Sequence, residues 1–492
     1  MTTAVALRYE TVIGLEVHAQ LLTKSKMFCP CPSDYADSPP NSHVCPICLG
    51  MPGVLPVINK QAVEMTIMTA LALNCEIPEQ AKFDRKNYPY PDLMKGYQIS
   101  QYDLPLSRNG WLDIDAEGRK KRIRITRVHL EEDTARLVHV KDPSGDAYSL
   151  VDVNRSGVPL MEIVSEPDLR SPEEARAYLV KLQQILRYIG ASRANMEEGN
   201  MRCEPNVSIR PLGSAELGPK VELKNINSFR SVYDAVTYEV QRQVQVVESG
   251  GRIAQETRGW REDVGETVSQ RSKEFAHDYR YFPEPDLPPL TIGREWVEDI
   301  RRRMPELPDA REARFIEQYA LSPYDAHLLT ESRARADFFE AVVALSPPSQ
   351  QRQRAKAAAN WILSDFAGLL HANKMAIDEA KVTPKALSQL IDLLDSGTIS
   401  SKIAKSIFEE LFTSGRLPEE IVQERGLIQI SSVDEIEQVV DKVLAANPKA
   451  GEDYRRGKQE ALAFLVGQVM RETKGRANPS LVNELLNRKL TA

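Results

Sequence analysis

The sequence predicts an α+β fold: a mainly antiparallel-sheet domain with packed helices, followed by an all-α region and a small helical tail. Three observations carry this. Stretches with two-residue alternation of apolar and polar side chains recur through residues 8–290, and strand side chains alternate faces in that way. The segment Pro283-Glu-Pro-Asp-Leu-Pro-Pro-Leu290 then places four prolines in eight residues, which no regular helix tolerates. Beyond it, apolar stripes at helical spacing follow one another between capping residues.

The elements follow in order. In Thr11–Gln20, Thr11, Ile13, Leu15, Val17 and Ala19 share one face of a strand, and Gly14, Glu16, His18 and Gln20 the other. Met201–Arg210 alternates in the same way, with Arg202, Glu204, Asn206, Ser208 and Arg210 on its polar face. Strands with one apolar and one polar face suit an antiparallel sheet covered on one side. A helix is predicted over 171–190. Ser171 caps it, Pro172 opens it, Glu174 completes a capping box and Gly190 stops it. Tyr178, Leu179, Leu182, Ile185, Leu186 and Ile189 form its buried stripe. Further on, Thr383-Pro384 opens a helix that Gly397 ends, and Ser432 with Glu435 opens one that Asn447-Pro448 stops. The expected division is 1–292, 293–412 and 413–492.

The chain has 492 residues, 42% of them hydrophobic and 27% charged, which is ordinary for a globular protein of several domains. Disordered, collagen-like and disulfide-scaffold classes are excluded. No apolar run is long enough for a membrane span. The start has no apolar core of signal-peptide length and no Arg-rich transit pattern, so a cytoplasmic location is expected. The net charge of −7 argues against indiscriminate binding to nucleic acid, though a local basic surface is compatible with it.

Neither a G-x-x-x-x-G-K-[ST] loop, a strand-linked G-x-G-x-x-G nor a G-x-S-x-G elbow occurs. A nucleotide would be held without a common phosphate loop. Cys29-Pro-Cys31 and Cys45-Pro-Ile-Cys48 form two closely spaced pairs. Four thiolates from two turns suit structural zinc, with His43 as a possible replacement for one of them. Glu16 and His18 share the polar face of one strand. His129-Leu-Glu131-Glu132-Asp133 adds an imidazole and three carboxylates at a strand end, and Asp152, Glu162, Glu166, Glu197, Glu198 and Glu204 follow. Carboxylates with an occasional imidazole suit a hard cation such as Mg²⁺. The stretches Lys86–Asp103 and Glu222–Arg230 mix aromatic or amide side chains with lysine or arginine, a composition fit for stacking on a base and holding phosphate.

Taken together, these residues resemble the GatB family, the B subunits of the aspartyl/glutamyl-tRNA amidotransferase. The likeness rests on Val12–His18, Lys86–Asp92, Tyr97–Tyr102, Asp152–Gly157, Pro159–Asp168, Met196–Gly199, Glu222–Asn225, Gln255–Arg258, Asp278–Asp286 and, in the tail, Gly475–Pro479. The resemblance implies a cradle-shaped catalytic domain over 1–292 with a zinc-binding loop at 29–48, then a helical domain and a tRNA-binding tail. It implies a ligase that uses ATP to phosphorylate the side-chain carboxylate of Glu-tRNA(Gln) or Asp-tRNA(Asn). Ammonia from a separate amidase subunit then displaces the phosphate, in a heterotrimer that a small third subunit makes up. The implied catalytic and Mg²⁺-binding residues are Glu16, His18, Glu131 and Glu198, with Glu162 as a further metal ligand. Lys86, Arg155 and Lys224 are the residues expected at the ATP phosphates. Zinc on Cys29, Cys31, Cys45 and Cys48 would be structural.

A non-catalytic tRNA-binding scaffold is the alternative, and it would favour Lys and Arg on the polar face rather than Glu and His. From Gly451 to Ala492 the tail has eight Lys and Arg against five Asp and Glu. Lys474 and Arg476 are expected there beside free backbone N–H groups at a helix start, a shape suited to phosphate.

Overall fold

The computed structural model describes residues 8–272, 279–427, 432–456, 458–473 and 476–491. Two compact units divide between Leu307 and Pro308.

The first unit is built on an eight-stranded sheet. Its strand order is Glu266–Ser272, Glu256–Arg261, Val221–Lys224, Met201–Pro211, Tyr9–Gln20, Pro159–Ser165, Arg119–Glu132 and Ser107–Ala116. Every neighbouring pair is antiparallel except Val221–Lys224 with Glu256–Arg261. The centre is the long strand Tyr9–Gln20, whose odd-numbered residues Ile13, Leu15, Val17 and Ala19 are buried in the core. The helices Lys60–Ala72, Pro172–Tyr188 and Phe229–Glu248 contribute their apolar stripes to that core. Ser171 caps Pro172–Tyr188 as expected, accepting from the Glu174 N–H at 3.2 Å; the Glu174 carboxylate reaches back one residue further than a capping box, to the Arg170 N–H at 2.7 Å. The other face of the sheet keeps its polar residues, because that is where the cavity described below opens.

A small three-stranded sheet (Phe282–Pro283, Asp84–Asn87, Tyr97–Ser100) stands at the end of Arg119–Glu132. Gln98 Nε2 donates to the Glu132 carbonyl at 2.7 Å, and the Ile99 N–H to Glu132 Oε1 at 2.9 Å. Near the sheet edge, Gly110 has no substitute: a Cβ there would lie 2.2 Å from Cys75 Sγ and 2.6 Å from the Leu73 carbonyl. The unit runs past the proline cluster. Helix Arg294–Arg303 buries Ile300 in the same core, so the packing divides one helix beyond residue 292.

The second unit is helical. Helices from Pro308–Tyr319 to Pro418–Arg425 surround a core that includes Phe315, Phe339, Phe366 and Phe408. Leu417, Ile421, Val422 and Leu427 belong to this core, so it extends past residue 412. A separate core at Ile436, Val440, Leu465, Val469 and Leu485 is enclosed by Val433–Ala446, Pro448–Arg455, Glu460–Glu472 and Pro479–Thr491. Thr383 and Ser432 cap their helices as expected, accepting from Ala386 and Glu435 N–H. No described helix is long and apolar enough to cross a membrane.

Candidate active site and metal centres

Strand register builds the site. Glu16 lies directly opposite Glu204 on one neighbour of the central strand, and His18 opposite Glu162 on the other. Glu162 in turn faces His129, two residues before Glu131 on the same strand. Like charges directly opposite on neighbouring strands destabilise a sheet unless something offsets them. Two acidic clusters result, and both line a single cavity of about 500 Å³.

The first cluster is His18, Glu131 and Glu162, with ligand atoms within 4.8 Å of one another. His18 Nε2 is 3.7 Å from Glu131 Oε1 and 3.6 Å from Glu162 Oε2, and His129 Nε2 is 3.0 Å from Glu162 Oε2. Burial lowers the pKa of both imidazoles, while the neighbouring Glu162 carboxylate opposes that shift. Burial, with the Glu162 carboxylate beside it, pushes Glu131 up to about 8. Burial would raise Glu162 too, but His129 and His18 outweigh it and hold that carboxylate well below its ordinary value.

The second cluster is Glu16, Glu204 and Glu222, again within 4.8 Å. Lys224 Nζ lies 2.7 Å from Glu204 and 3.6 Å from Glu222, and Asn206 Nδ2 donates to Glu16 at 2.9 Å. Three carboxylates around one ammonium leave a net negative pocket. Oxygen-rich donors with one imidazole match the preferences of Mg²⁺, so both donor sets fit a divalent cation.

Cations and aromatics complete the lining. Lys86 Nζ lies 5.0 Å from the Tyr279 ring centroid and 5.7 Å from that of Tyr88. Burial disfavours its charge, but Glu131 foremost, together with Tyr281, Tyr88 and Glu162, outweighs burial and raises its pKa. Tyr102 and Tyr281 stack at 4.4 Å with an interplanar angle of 9°. Arg202, also in the lining, donates to buried Asp133 at 2.8 Å.

The four cysteines converge as well. Their Sγ atoms lie within 4.8 Å of one another, and all four are free thiols. Tetrahedral zinc at about 2.3 Å from each sulfur requires sulfurs about 3.8 Å apart, and Cys45 and Cys48 Sγ are 3.9 Å apart. The set fits zinc. A hydrogen bond from Cys29 holds Cys48 down at about 4, so a thiolate is already favoured there. His43 stays out of the cluster: its Nε2 lies 3.2 Å from Ser38 Oγ.

Comparison with known proteins identifies the lineage. A family model described as the GatB/GatE catalytic domain matches residues 11–298, and one described as the GatB domain matches 337–490. The aspartyl/glutamyl-tRNA(Asn/Gln) amidotransferase B subunit of Carboxydothermus hydrogenoformans is 58% identical over 98% of this chain and 99% of its own. Those of Dehalococcoides mccartyi and Thermomicrobium roseum are 56% and 57% identical, each over 98% of this chain and 99% of the relative. The chain belongs to the GatB family of amidotransferase subunits.

Within this family member, the structure brings together Glu16, His18, Glu131, Glu162, Lys86 and Lys224 on one cavity. Two expected residues stand elsewhere. Glu198 is exposed in the turn before Met201 and accepts from Asn200 Nδ2 at 3.0 Å. Arg155 is committed to the backbone, donating to the carbonyls of Thr134 at 2.9 Å and Ala135 at 2.8 Å. Their neighbours in sequence gave no sign of this, since a turn and a side-chain direction decide both. Glu222, Arg202, Arg127 and Tyr281 also line the cavity; sequence reasoning gave none of them an individual role and left Glu204 without partners. The polar alternation of Met201–Arg210 marked Glu204 and Arg202, but only the register joins Glu204 to Glu16 and Glu222.

In the tail, Lys474 and Gly475 lie outside the described residues, as does Asp278. The helix start at Pro479 is not an open anion site: Asn478 Oδ1 accepts from the Ser480 N–H at 3.0 Å and the Leu481 N–H at 3.4 Å. Arg476 Nη1 donates to the Gly426 carbonyl at 3.2 Å.

Proposed function

We propose that this chain is the kinase and transamidase subunit of a glutamine-dependent tRNA amidotransferase, a carbon–nitrogen ligase. It phosphorylates the side-chain carboxylate of Glu-tRNA(Gln) or Asp-tRNA(Asn) with ATP. Ammonia released by a partner amidase then displaces the phosphate, giving Gln-tRNA(Gln) or Asn-tRNA(Asn). A small third subunit makes up the heterotrimer. The observation that carries this reading is the coexistence, on one cavity, of two acidic clusters with Lys86, Lys224 and Arg202.

A carboxylate is a poor electrophile, and acyl phosphate formation supplies a leaving group. Phosphoryl transfer of this kind depends on positioning and charge neutralisation rather than on a protein nucleophile. His18, Glu131 and Glu162 would hold one Mg²⁺, and Glu16, Glu204 and Glu222 a second. Bound there, Mg²⁺ would offset phosphate charge and polarise the reacting oxygens. Lys86 and Arg202 place fixed positive charge beside the clusters, where an anionic ligand would lie. Lys224 balances Glu204 and Glu222, and so limits the repulsion in the second cluster. The stacked Tyr102 and Tyr281 offer an aromatic surface at the cavity for a base. An RNA-docking scaffold has no use for two acidic clusters, which repel phosphate without a cation. The four cysteines would carry structural zinc, and the helical tail would contact tRNA.

The test is reconstitution with the amidase and the small third subunit, followed by ATP hydrolysis with Glu-tRNA(Gln) and Asp-tRNA(Asn) in turn. Hydrolysis stimulated by at least one misacylated tRNA is the expected result. Its absence with both, in a complex whose glutaminase is active, overturns the kinase assignment.

A further inference from the structure

Lys26 is among the largest fully buried side chains of the protein, at 1% exposure. A buried ammonium is costly unless an anion or several acceptors face it. Its Nζ donates to the carbonyl of His43 at 2.8 Å and to that of Val153 at 3.3 Å. Among the described residues its Nζ meets these two carbonyls and no Asp or Glu. Two neutral carbonyls do not balance a full charge.

The side chain lies between the two loops that carry the cysteine pairs. Lys26 opens the turn that carries the first cysteine pair, with its own N–H donating to the Cys31 carbonyl at 2.9 Å. Gly157 is the gauge of its distance from the second pair: a Cβ there would lie 3.6 Å from Lys26 Cδ and 3.8 Å from Cys48 Cβ. The Nζ bond to the His43 carbonyl, two residues before Cys45, ties the same side chain to the loop of the second pair. Four thiolates around one Zn²⁺ carry a net charge of about −2. A cluster of that charge in a half-buried loop needs a nearby cation, and Lys26 is placed to be one.

We propose that Lys26 is the built-in counter-charge of the four-cysteine metal centre, a positioning residue that offsets the charge of the metal-bound cluster and ties the loop to the Val153–Gly157 turn. This rests on the reading of the cysteines as a zinc centre. Neighbours of metal ligands that tune a site in this way are worth about 10–100-fold in metal affinity. Lys26→Met keeps the stem and removes the charge. Lys26→Arg keeps the charge.

The experiment measures zinc content and zinc affinity by chelator competition on the full-length wild type, Lys26→Met and Lys26→Arg. The wild type should hold about one zinc, Lys26→Met should bind it about 10–100-fold more weakly, and Lys26→Arg should stay closer to the wild type. A second arm guards against a folding defect. In a Cys45→Ser, Cys48→Ser chain, Lys26 has lost its anion, so adding Lys26→Met should raise the thermal midpoint, whereas in the wild-type background it should lower it. A wild type without zinc overturns the metal centre and this assignment with it. A zinc-bearing wild type whose Lys26→Met variant binds equally tightly overturns the role of Lys26 alone. Equal loss of thermal midpoint in both cysteine backgrounds also overturns it, because the side chain would then act by packing.

Discussion

Replacing Asp133 by asparagine keeps the shape of a buried side chain and removes its charge. Asp133 is 2% exposed; its Oδ2 accepts from Arg202 at 2.8 Å and from Gln20 Nε2 at 2.7 Å, and its Oδ1 from the Thr134 N–H at 2.9 Å. Arg155 Nε stands 3.8 Å away. The amide can retain one or two of these hydrogen bonds, but it removes the anion that Arg202 hydrogen-bonds and leaves it only Glu131 and Glu204. Removing one partner of a buried ion pair costs roughly 3–5 kcal/mol. The Arg202 side chain is 35% exposed toward the cavity, and water there screens part of the loss; about 2–3 kcal/mol is expected. Urea unfolding of the full chain, followed by circular dichroism and tryptophan fluorescence, measures it. Trp111, Trp260 and Trp296 report on the first unit. Adding Arg202→Met to Asp133→Asn should cost less than Arg202→Met alone, since the cation's hydrogen-bonded partner is already gone. A single variant within about 0.5 kcal/mol of the parent, the ordinary range of surface substitutions, would refute the argument.

Glu16→Gln or His18→Ala should abolish tRNA-dependent ATP hydrolysis in the reconstituted complex, while glutaminase turnover by the partner partly survives; normal hydrolysis would remove either residue from the site. Glu204→Gln should act like Glu16→Gln, with an activity loss of at least about tenfold, because both belong to one cluster; Glu198→Gln, outside the cavity, should leave the rate within about twofold. Burial opposes ionisation of Glu340 in the helical unit, but hydrogen bonds from Arg314 and Arg311 outweigh it and depress the pKa. A depressed carboxylate adds stability above its unfolded pKa of about 4.3 and loses it as pH falls through the folded value. Glu340→Gln should therefore lower the thermal midpoint at pH 7 and matter progressively less below about pH 4; a loss that persists unchanged in acid would contradict this. Deleting residues 432–492 leaves the core that ends at Leu427 complete, and should raise the KM for misacylated tRNA in a salt-sensitive way without changing glutaminase activity. Unchanged tRNA affinity at low and moderate salt would exclude the tail from binding.

The division between sequence and tertiary structure follows the range of the interactions involved. Alternation in Thr11–Gln20 and Met201–Arg210, the Ser171–Glu174 cap and the stripe from Tyr178 to Ile189 are local, so each was legible and each recurs in the fold. The two cysteine pairs and the order of the long motifs were equally readable, and they named the family. The pairing partners were not. Glu16 meets Glu204 and Glu222 only through the registers of three strands distant in sequence, and a slip of one residue would turn those carboxylates to the other face. Glu198 and Arg155 looked equivalent to their neighbours until a turn exposed one and backbone carbonyls took the other. Lys26 reads as one lysine in a polar stretch, and only the packing around Gly157 makes it a buried cation. Sequence determines which faces are polar because that depends on residues two or four apart. Tertiary structure decides which polar groups meet, because charges combine across strands and loops whose separation the chain itself does not encode locally.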